Sequence, residues 1–467
     1  MARLTAVDAS FLDLETPLLP MHAGEVAVFE AGRRGIDPDR ITALIGERIA
    51  LVPRYRQRVQ PVPWGLAEPV WVDDRDFDLA THVRRVSLPE PGGQEQFAEL
   101  VARLMSRPLD RSHPLWEVYL VEGLAEGRFA IVSKTHHALV DGVSALDLLQ
   151  VLLEPTVEPA AVATPRWQAA RSPDPAELLI GALADLARDP RAAARTARGA
   201  AATAANLALG AARTGARVGG TVAGVLRTAQ RTPFNVEVTG QRRYAMVDTD
   251  LQTYRAIRRA RDCTVNDVVL AVVTGALRRW LLSRGSPVTS GTVVRAVIPV
   301  RVTDPEQPAV DRGDVAYTLL DLPVGEPMPL LRLTRIAFEL VQQRTGQPMV
   351  GAQAMVSLTG FGPPTLHRMG ARVAATLRRR GSHVTIVNVP GPQHRLYAAG
   401  AAMIRTYPVV PLAAGQALSI GATSYDGRVC FGLNADRSAV ADLSLLRSAL
   451  LESLAELATL ADRPIRR

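Results

Sequence analysis

The sequence predicts a mixed α/β (α+β) protein built from two domains that a helical connector joins. Its 467 residues exceed the usual size of one domain, and hydrophobic residues make up 47% of them, enough for two large cores. Strand-like and helix-like segments alternate in residues 1–173 and again in 233–467, whereas 174–232 is dominated by alanine and arginine. We therefore predict an N-terminal domain at 1–173, a connector at 174–232 and a C-terminal domain at 233–467.

The first domain contains a strand, a tight turn and a helix in succession. Residues 129–133 read as a buried strand, because four apolar residues precede Ser133. Apolar residues then recur at helical spacing at Val143, Leu146, Leu149 and Leu153. The polar residues between these two elements, 136–142, are therefore expected at a turn.

The connector predicts several short helices, because alanine and arginine are good helix formers and Pro190, Gly199 and Gly210 divide the segment. Its arginines stand at 188, 191, 195, 198, 213, 217, 227 and 231. Two interpretations stay open. The segment could lie on an anionic lipid surface, with arginines towards the headgroups, or it could be a solvated connector that packs on its own protein.

The second domain carries three clear local signals. Thr264 to Asp267 opens a strongly apolar helix that stops near Gly285. Asp426-Gly427 lies between two strand-like runs and predicts a hairpin. Asp442 begins a last amphipathic helix. The two domains could be copies of one fold, but the sequence does not show it.

Composition excludes several classes of protein. The net charge is +8, yet Lys134 is the only lysine and the arginines are scattered, which argues against nucleic-acid binding. Two cysteines, Cys263 and Cys430, cannot form a disulfide framework or a four-ligand zinc site. Residues 1–18 contain acidic residues and no long apolar run, and no stretch of about 20 apolar residues occurs. We therefore expect a cytoplasmic protein without a membrane span.

The run from His136 to Gly142 reads His-His-Ala-Leu-Val-Asp-Gly and is the main candidate for a catalytic site. An alcohol attacks a thioester poorly, and a histidine with a free pKa of about 6.5 can remove its proton as the new bond forms. Because side chains alternate along an extended chain, His137 can face a cleft while His136 points away. Asp141 could hold an arginine or orient the turn, and Gly142 could permit an unusual backbone angle.

Two other interpretations of this run stay open on its residues alone. Asp141 is a suitable N-cap for the following helix, and the histidines could be structural residues at the end of a strand. Histidine and aspartate at this spacing could also hold a metal. There is no Gly-x-Ser-x-Gly elbow, and neither cysteine has a histidine near it in sequence. Direct transfer without an enzyme nucleophile is therefore expected.

The run resembles the HHxxxDG motif of the CoA-dependent acyltransferases, which include the condensation domains of peptide synthetases. Further segments narrow the resemblance to the bacterial wax ester synthase/diacylglycerol acyltransferase family, and they lie at 4–12, 20–24, 114–117, 266–267, 388–392, 415–420, 424–427, 431–433 and 435–437. The resemblance covers nearly the whole chain and is weakest in the connector. It implies two chloramphenicol-acetyltransferase-like domains with an active-site tunnel at their interface.

The resemblance also implies a catalytic set. His137 would be the general base, with His136 beside it, and Asp141 and Gly142 would mainly support the turn. Asn266 would contribute a hydrogen bond to the thioester oxygen, unless it only caps a helix.

The implied substrate-binding residues lie elsewhere in both domains. Pro114, Leu115 and Trp116 would shape the acyl or alcohol channel, or else pack in the core at the start of a strand. Asp267 would contribute to binding, and Asn388 to Gly391 would form a turn beside the channel or a plain loop. No metal is expected, and no cofactor beyond acyl-CoA as co-substrate.

Two positions depart from the family pattern. Val387 stands where the family commonly has Ser or Thr, and Gly313-Asp314 stands where it has Gly-Asn. These departures concern hydrogen bonding and alcohol choice in the second domain, and they leave the base unchanged.

The predicted function is transfer of a long acyl chain from acyl-CoA to diacylglycerol or to a fatty alcohol. The expected partners are these substrates, with peripheral association with a membrane or lipid droplet left open. A condensation reaction with carrier-protein thioesters is one alternative. A non-catalytic lipid-coating protein is the other. The sequence does not determine the acceptor or the acyl length.

Overall fold

The computed structural model describes residues 2–31, 37–139, 148–158, 167–188, 232–301, 315–345 and 381–461. Its strands, numbered along the chain, are β1 Ala2–Arg3, β2 His22–Glu30, β3 Gln57–Gln60, β4 Val70–Asp73, β5 Val83–Ser87, β6 Trp116–Leu124, β7 Arg128–His136, β8 Arg242–Asp250, β9 Val294–Arg301, β10 Val315–Leu322, β11 Val384–Pro390, β12 Tyr397–Ala398, β13 Ala401–Val409, β14 Leu418–Tyr425 and β15 Arg428–Asp436. Its α-helices are α1 Ala6–Leu14, α2 Pro38–Ile49, α3 Leu79–His82, α4 Gln94–Ser106, α5 Leu148–Leu152, α6 Pro175–Arg188, α7 Leu251–Arg261, α8 Val265–Ser283, α9 Pro329–Thr345 and α10 Leu443–Ala461.

The first large sheet has the strand order β12-β13-β2-β7-β6-β5. Because side chains alternate along a strand, Phe29 and Ile131 pack with residues of α1, α2 and α5 on one face. Val28 and Val132 pack with α4 on the other face. The sheet therefore separates two apolar layers, and β7 is buried between β2 and β6.

The second half of the chain contributes strands to this first sheet. β13 pairs antiparallel with β2, from Met403 opposite Phe29 to Val409 opposite Gly24. Tyr425, at the end of β14, packs in the same core as Phe29. The domain boundaries predicted at residues 173 and 233 do not account for this pairing between the two halves. Local sequence patterns indicate a strand but not the strand that it pairs with.

The second large sheet has the order β10-β9-β11-β14-β15-β8 and repeats part of the first. In the first sheet β5 is parallel to β6, and β6, β7 and β2 follow antiparallel. In the second, β11 is parallel to β14, and β14, β15 and β8 follow antiparallel. The two halves therefore share a topology that the sequence did not reveal. In this repeat His136, paired with His22, corresponds to Asp436, paired with Arg242.

The predicted local elements of the second half are confirmed. The apolar helix is α8, which is buried between the sheet and α10. The hairpin joins β14 to β15 through Asp426 and Gly427, whose φ angles are 40° and 79°. Two adjacent positive φ angles suit the right-handed twist of paired strands, which is why this dipeptide marks such turns. The predicted fold class, mixed α/β with two sheets, is confirmed as well.

The connector is described only at its start. Residues 175–188 form α6, which lies against the small sheet β1-β4-β3 through Leu178, Val70 and Val72. The remaining connector residues, 189–231, lie outside the described residues, so the further predicted helices stay predictions. In the ranges that the structure describes, no helix is both long and apolar enough to cross a membrane.

Candidate active site

Main-chain hydrogen bonds fix the histidine pair at the end of β7. The N–H of His136 donates to the carbonyl of Leu115 at 3.0 Å, and the N–H of His137 donates to the carbonyl of Met21 at 2.9 Å. The chain then turns, and the N–H of Leu139 donates back to the carbonyl of His136 at 2.9 Å. The pair is therefore held from β6 on one side and from the segment before β2 on the other.

His136 is a structural histidine. Its side chain is 0% exposed. Nδ1 accepts a hydrogen bond from the N–H of Ala138 at 3.0 Å, which places the ring proton on Nε2. Nε2 faces Oε2 of Glu15 at 3.6 Å. Both ring nitrogens are thus directed at protein groups, and neither is placed to act on a substrate.

His137 differs from its neighbour in exposure. Its ring is half-buried and stacks on Phe11, with the ring centroids 5.0 Å apart and the planes inclined by 27°. Phe11 supports one face of the imidazole. The alternation expected from the sequence agrees with this difference in burial between the two side chains.

Glu15 is a residue of this site that sequence reasoning missed. Its side chain is 5% exposed and accepts hydrogen bonds from Met21 N–H at 3.0 Å and from Arg111 at 2.9 and 2.6 Å. Burial alone would raise its pKa, but hydrogen bonding and charge attraction from His136, with Arg111 and Met21, lower the pKa of Glu15 to about 2. The available signal was its place between segments 4–12 and 20–24, which carried the resemblance.

Further titratable groups are buried beside His136. Lys134, two residues earlier on the same strand face, is fully buried and pairs with Glu117 at 3.2 Å. His22, opposite His136, is bonded through Nε2 to the carbonyl of Met105 at 3.0 Å. Burial, with help from the Lys134 charge, lowers the pKa of His22 well below its usual value, so this imidazole is neutral. None of these contacts follows from sequence spacing.

Asp141 and Gly142 lie outside the described residues, so their predicted supporting roles stay predictions. The metal alternative finds no support among the residues that the structure describes, where no group of three or more His, Cys, Asp or Glu side chains is placed to hold an ion.

Pro114, Leu115 and Trp116 form a buried wall next to the histidine pair. Leu115 and Trp116 are 0% exposed, and the Leu115 carbonyl holds His136. Trp116 donates from Nε1 to the carbonyl of Tyr55 at 2.7 Å and stacks on His82 at 4.5 Å. These contacts show core packing at the start of β6; a role in shaping a substrate channel stays a prediction.

Asn266 and Asn388 are brought together from different elements of the second half. Asn388 Nδ2 donates to Asn266 Oδ1 at 2.9 Å, which leaves the Asn266 NH₂ group as the donor end of the pair. The capping role offered as an alternative for Asn266 is wrong, because the N-cap of α8 is Thr264. Thr264 and Asp267 form a reciprocal capping box, with bonds of 2.8 and 3.1 Å.

Asp267 and Gly391 have clear structural roles. Asp267 is 5% exposed and its carboxylate closes the capping box, so its predicted contribution to binding stays a prediction. At Gly391 an added Cβ would lie 2.4 Å from the carbonyl oxygen of Ser424, which only glycine avoids. The turn expected from Asn388 onwards is wrong for 388–390, because these residues pair with β14 as the end of strand β11. Of the two family departures, Val387 lies within β11, and Gly313-Asp314 lies outside the described residues.

The equivalent position in the second half carries no imidazole. Arg437 N–H donates to the Gln241 carbonyl at 3.1 Å, as His137 does to Met21. The preceding residue, Asp436, is buried and accepts hydrogen bonds from Thr239 and from the N–H groups of residues 438 and 439. At this pair of equivalent positions, the first half therefore carries histidines and the second half carries Asp436 and Arg437.

Both cysteines are free thiols and unsuited to covalent catalysis. Burial raises the pKa of Cys263 to about 11 and that of Cys430 to about 12. A thiol attacks as its thiolate, so neither group is activated at neutral pH. This agrees with direct transfer without an enzyme nucleophile.

Two cavities lie between the halves of the molecule, on either side of a hydrogen bond from Gln94 to the carbonyl of Met246. Their volumes are about 320 and 180 Å³, and α4 and β8 contribute to the walls of both. His137 lines neither of them. A tunnel that reaches His137 therefore stays a prediction.

Comparison with known sequences gives matches over both halves. The sequence profile of the wax ester synthase/diacylglycerol acyltransferase catalytic domain matches residues 4–269. The profile of the corresponding C-terminal domain matches residues 314–458.

Individual relatives agree with the profiles. A Mycobacterium tuberculosis protein named probable diacylglycerol O-acyltransferase tgs1 is 31% identical over 477 residues, covering 99% of this chain and 97% of its own. Another, named probable diacylglycerol O-acyltransferase tgs3, is 41% identical over 264 residues, covering 56% of this chain and 97% of its own.

Solved structures share the fold. The wax ester synthase/diacylglycerol acyltransferase from Marinobacter aquaeolei VT8 superposes with a TM-score of 0.69 at 28% identity, covering 99% of this chain and 100% of its own. A starter condensation domain of rhizomide synthetase gives 0.52 at 14% identity, with 99% and 94% coverage, which is a likeness of fold alone.

Proposed function

The chain belongs to the wax ester synthase/diacylglycerol acyltransferase family, and we propose that it transfers a long acyl chain from acyl-CoA to a lipid alcohol with His137 as the general base. The observation that carries this proposal is the contrast in exposure within the histidine pair: the His136 side chain is 0% exposed and bonded to the main chain through Nδ1, whereas His137 is half-buried and stacks on Phe11.

The proposed step is direct transfer in a ternary complex. His137 takes the proton of the acceptor hydroxyl as its oxygen attacks the thioester carbonyl. A C–O bond forms and the C–S bond breaks, and the proton passes from the imidazolium to the departing CoA thiolate. Acyl-CoA is the co-substrate, and the step requires no further cofactor.

Asn266 is the proposed donor to the oxyanion that forms on the thioester oxygen. Its Oδ1 already accepts from Asn388, so that bond fixes the Asn266 amide and leaves its NH₂ group as the donor. A pre-oriented donor stabilises developing charge without reorganising in the reaction. This is the role that fits its position after the helix cap.

The proposed acceptors are diacylglycerol, which would give triacylglycerol, and a long-chain fatty alcohol, which would give a wax ester. The names of the mycobacterial relatives favour diacylglycerol, and the name of the Marinobacter enzyme includes both activities. Release of free CoA from palmitoyl-CoA, with diacylglycerol and hexadecanol as rival acceptors, measures the preference.

The base is tested in the same assay. His137→Ala should lower CoA release by at least about 100-fold while the protein stays folded, because general-base catalysis contributes about that much. His137→Gln serves as a second variant of similar size. Turnover close to that of the wild type in both folded variants would remove His137 as the base.

We further propose that the protein binds lipid surfaces through an apolar patch formed by Trp64, Leu66, Ile180 and Leu183. These side chains are 81%, 52%, 67% and 58% exposed. The two elements that carry them, α6 and residues 63–66, lie against each other. Tryptophan and aliphatic side chains gain most at a lipid boundary, and both proposed acceptors are lipids. Lipid binding by connector residues 189–231 remains a separate prediction.

A further inference from the structure

Helix α1 contacts both rings of the histidine pair from one side. Phe11 and Glu15 stand one helical turn apart, so their side chains lie on the same side of the helix. Phe11 stacks on the ring of His137, and Glu15 faces the ring of His136. Glu15 itself ends the helix, with its N–H bonded to the carbonyl of Phe11 at 3.1 Å. The helix end therefore sets the position of the Glu15 carboxylate.

A short chain of hydrogen bonds links that carboxylate to the main chain of His137. Oε1 of Glu15 accepts from the N–H of Met21 at 3.0 Å. The carbonyl of Met21 accepts from the N–H of His137 at 2.9 Å. A displacement of Glu15 would therefore shift Met21 and, through it, the backbone of His137.

The second carboxylate oxygen of Glu15 faces the ring of His136. Because Nδ1 of His136 accepts from the N–H of Ala138, the proton on Nε2 points towards Oε2 of Glu15, at 3.6 Å, which is longer than a hydrogen bond. The same oxygen accepts two bonds from Arg111, whose Nη2 also donates to the carbonyl of Leu12 at 2.7 Å. Arg111 therefore anchors the carboxylate beside the buried His136 ring.

Charged and titratable groups surround Glu15 from each packed element. Arg111 approaches from the loop before β6, His136 lies on β7, and Lys134 and His22 lie further along the same sheet face. Lys134 is itself paired with Glu117. The negative charge of Glu15 therefore acts inside a buried and mainly basic group.

We infer, resting on the acyl transfer proposed above, that Glu15 is the positioning residue of the active site: its carboxylate holds Met21 and, through Met21, the backbone that carries His137. It does not touch the reacting atoms. Its loss would leave the substrates bound but the base misplaced.

Glu15→Gln is the decisive variant because it keeps the shape and removes the charge. The glutamine oxygen can still accept one bond, but its NH₂ group meets the donors of His136 and Arg111. Displacing a catalytic group by about 1 Å costs up to about 100-fold in rate, so we expect kcat to fall about 10- to 100-fold. The KM for palmitoyl-CoA should stay within about twofold, since ground-state binding is retained.

The pH profile separates positioning from lost folding. A nearby negative charge favours the imidazolium, so Glu15→Gln should move the acid limb of kcat/KM to lower pH. Arg111→Gln, which removes the positive partner, should move it to higher pH. Glu15→Asp keeps the charge, so its acid limb should stay at the wild-type position even if kcat falls. A variant that only reduced the fraction of folded protein would lower the apparent kcat without moving the acid limb of kcat/KM.

Glu122→Gln is the matched control. Glu122 also pairs with an arginine, Arg85, at 3.0 Å on the first sheet, at the opposite end of β6 from Trp116. Its kcat and acid limb should equal those of the wild type.

Nitrogen-15 NMR of histidine-labelled protein gives a readout that does not depend on turnover. The main-chain amide signal of His137, assigned by its loss in His137→Gln, should shift in Glu15→Gln and stay in place in Glu122→Gln. Wild-type kcat and acid limb in Glu15→Gln would overturn the inference, as would an unchanged His137 amide signal there. A wild type that releases no CoA with either acceptor, yet shows this shift of the amide signal, would instead refute the proposed function.

Discussion

The neighbouring histidines 136 and 137 lie in different environments. His136 is 0% exposed and both nitrogens face protein groups, whereas His137 is half-buried with one ring face on Phe11. The strand reverses the direction of consecutive side chains, and the packing on each face then decides the chemistry. Of the two rings, His137 is the more exposed, which supports its proposed role as the base.

Glu15 should also make the protein sensitive to acid. Its pKa is about 2 in the folded protein, below its ordinary value of 4.5. A depressed pKa stabilises the fold above the unfolded value, and this contribution is lost as the pH falls from about 4.5 towards 2. The difference corresponds to an upper estimate of about 3 kcal/mol.

Urea unfolding of wild type and Glu15→Gln across this range measures the effect. The wild-type advantage in unfolding free energy should be largest near neutral pH and shrink as the pH falls towards 2. A gap that stays constant with pH would show that the variant acts through packing and not through the charge.

At the scale of elements, the start of α8 assigns different tasks to adjacent polar residues. Thr264 and Asp267 satisfy the first main-chain groups of the helix, which frees Asn266 from capping. Asn388, arriving on β11, then fixes the Asn266 amide at 2.9 Å. The capping box therefore stabilises the start of α8, and the contact between α8 and β11 brings Asn266 and Asn388 together.

Alanine substitutions should separate these tasks. Asp267→Ala should lower the unfolding free energy by about 1 kcal/mol, the usual cost of a lost cap, with a small effect on kcat. Asn266→Ala should leave the unfolding free energy nearly unchanged and lower kcat by at least about 100-fold, as for a lost oxyanion donor. Chemical unfolding and CoA release measure both, and a reversed pattern would exchange the two assignments.

At the scale of the whole molecule, two sheets of related topology carry different residues at the position proposed for the base. The second half places Asp436 and Arg437 where the first has His136 and His137, and it contributes β13 to the first sheet. Tyr244, Met246 and Cys430 pack into the same core as residues of α4. The halves are joined by shared strands and a shared core, so they are not expected to unfold independently.

The apolar patch should govern attachment to lipid. Replacing Trp64 and Ile180 by serine should weaken binding to lipid vesicles by at least about tenfold, because each buried side chain contributes about 1.5–3 kcal/mol. Phe338→Ser is a matched control, since Phe338 is 65% exposed on α9. Flotation with anionic and neutral vesicles measures the bound fraction.

Equal binding by the wild type and the Trp64/Ile180 variant would exclude the patch as the contact. If Phe338→Ser weakened vesicle binding as much as the Trp64/Ile180 variant, exposed apolar side chains would contribute to lipid binding wherever they lie on the surface.

The sequence by itself determined what depends on local physics. Apolar spacing and the Thr264–Asp267 cap predicted α8, the Asp-Gly pair predicted the β14–β15 hairpin, and ordered motifs predicted the family and the histidine pair. Each of these signals needs only residues close along the chain, or a motif that is recognised as a unit.

Only the tertiary structure decided which distant groups meet. Glu15 and Arg111 are 96 residues apart, Asn266 and Asn388 are 122 apart, and β13 joins a sheet formed mainly by the first half. Spacing carries no information about such encounters, because strand pairing and helix packing are set by the burial of whole faces. The contacts of Glu15 with Arg111, Met21 and the ring of His136 could therefore not be predicted from spacing along the chain.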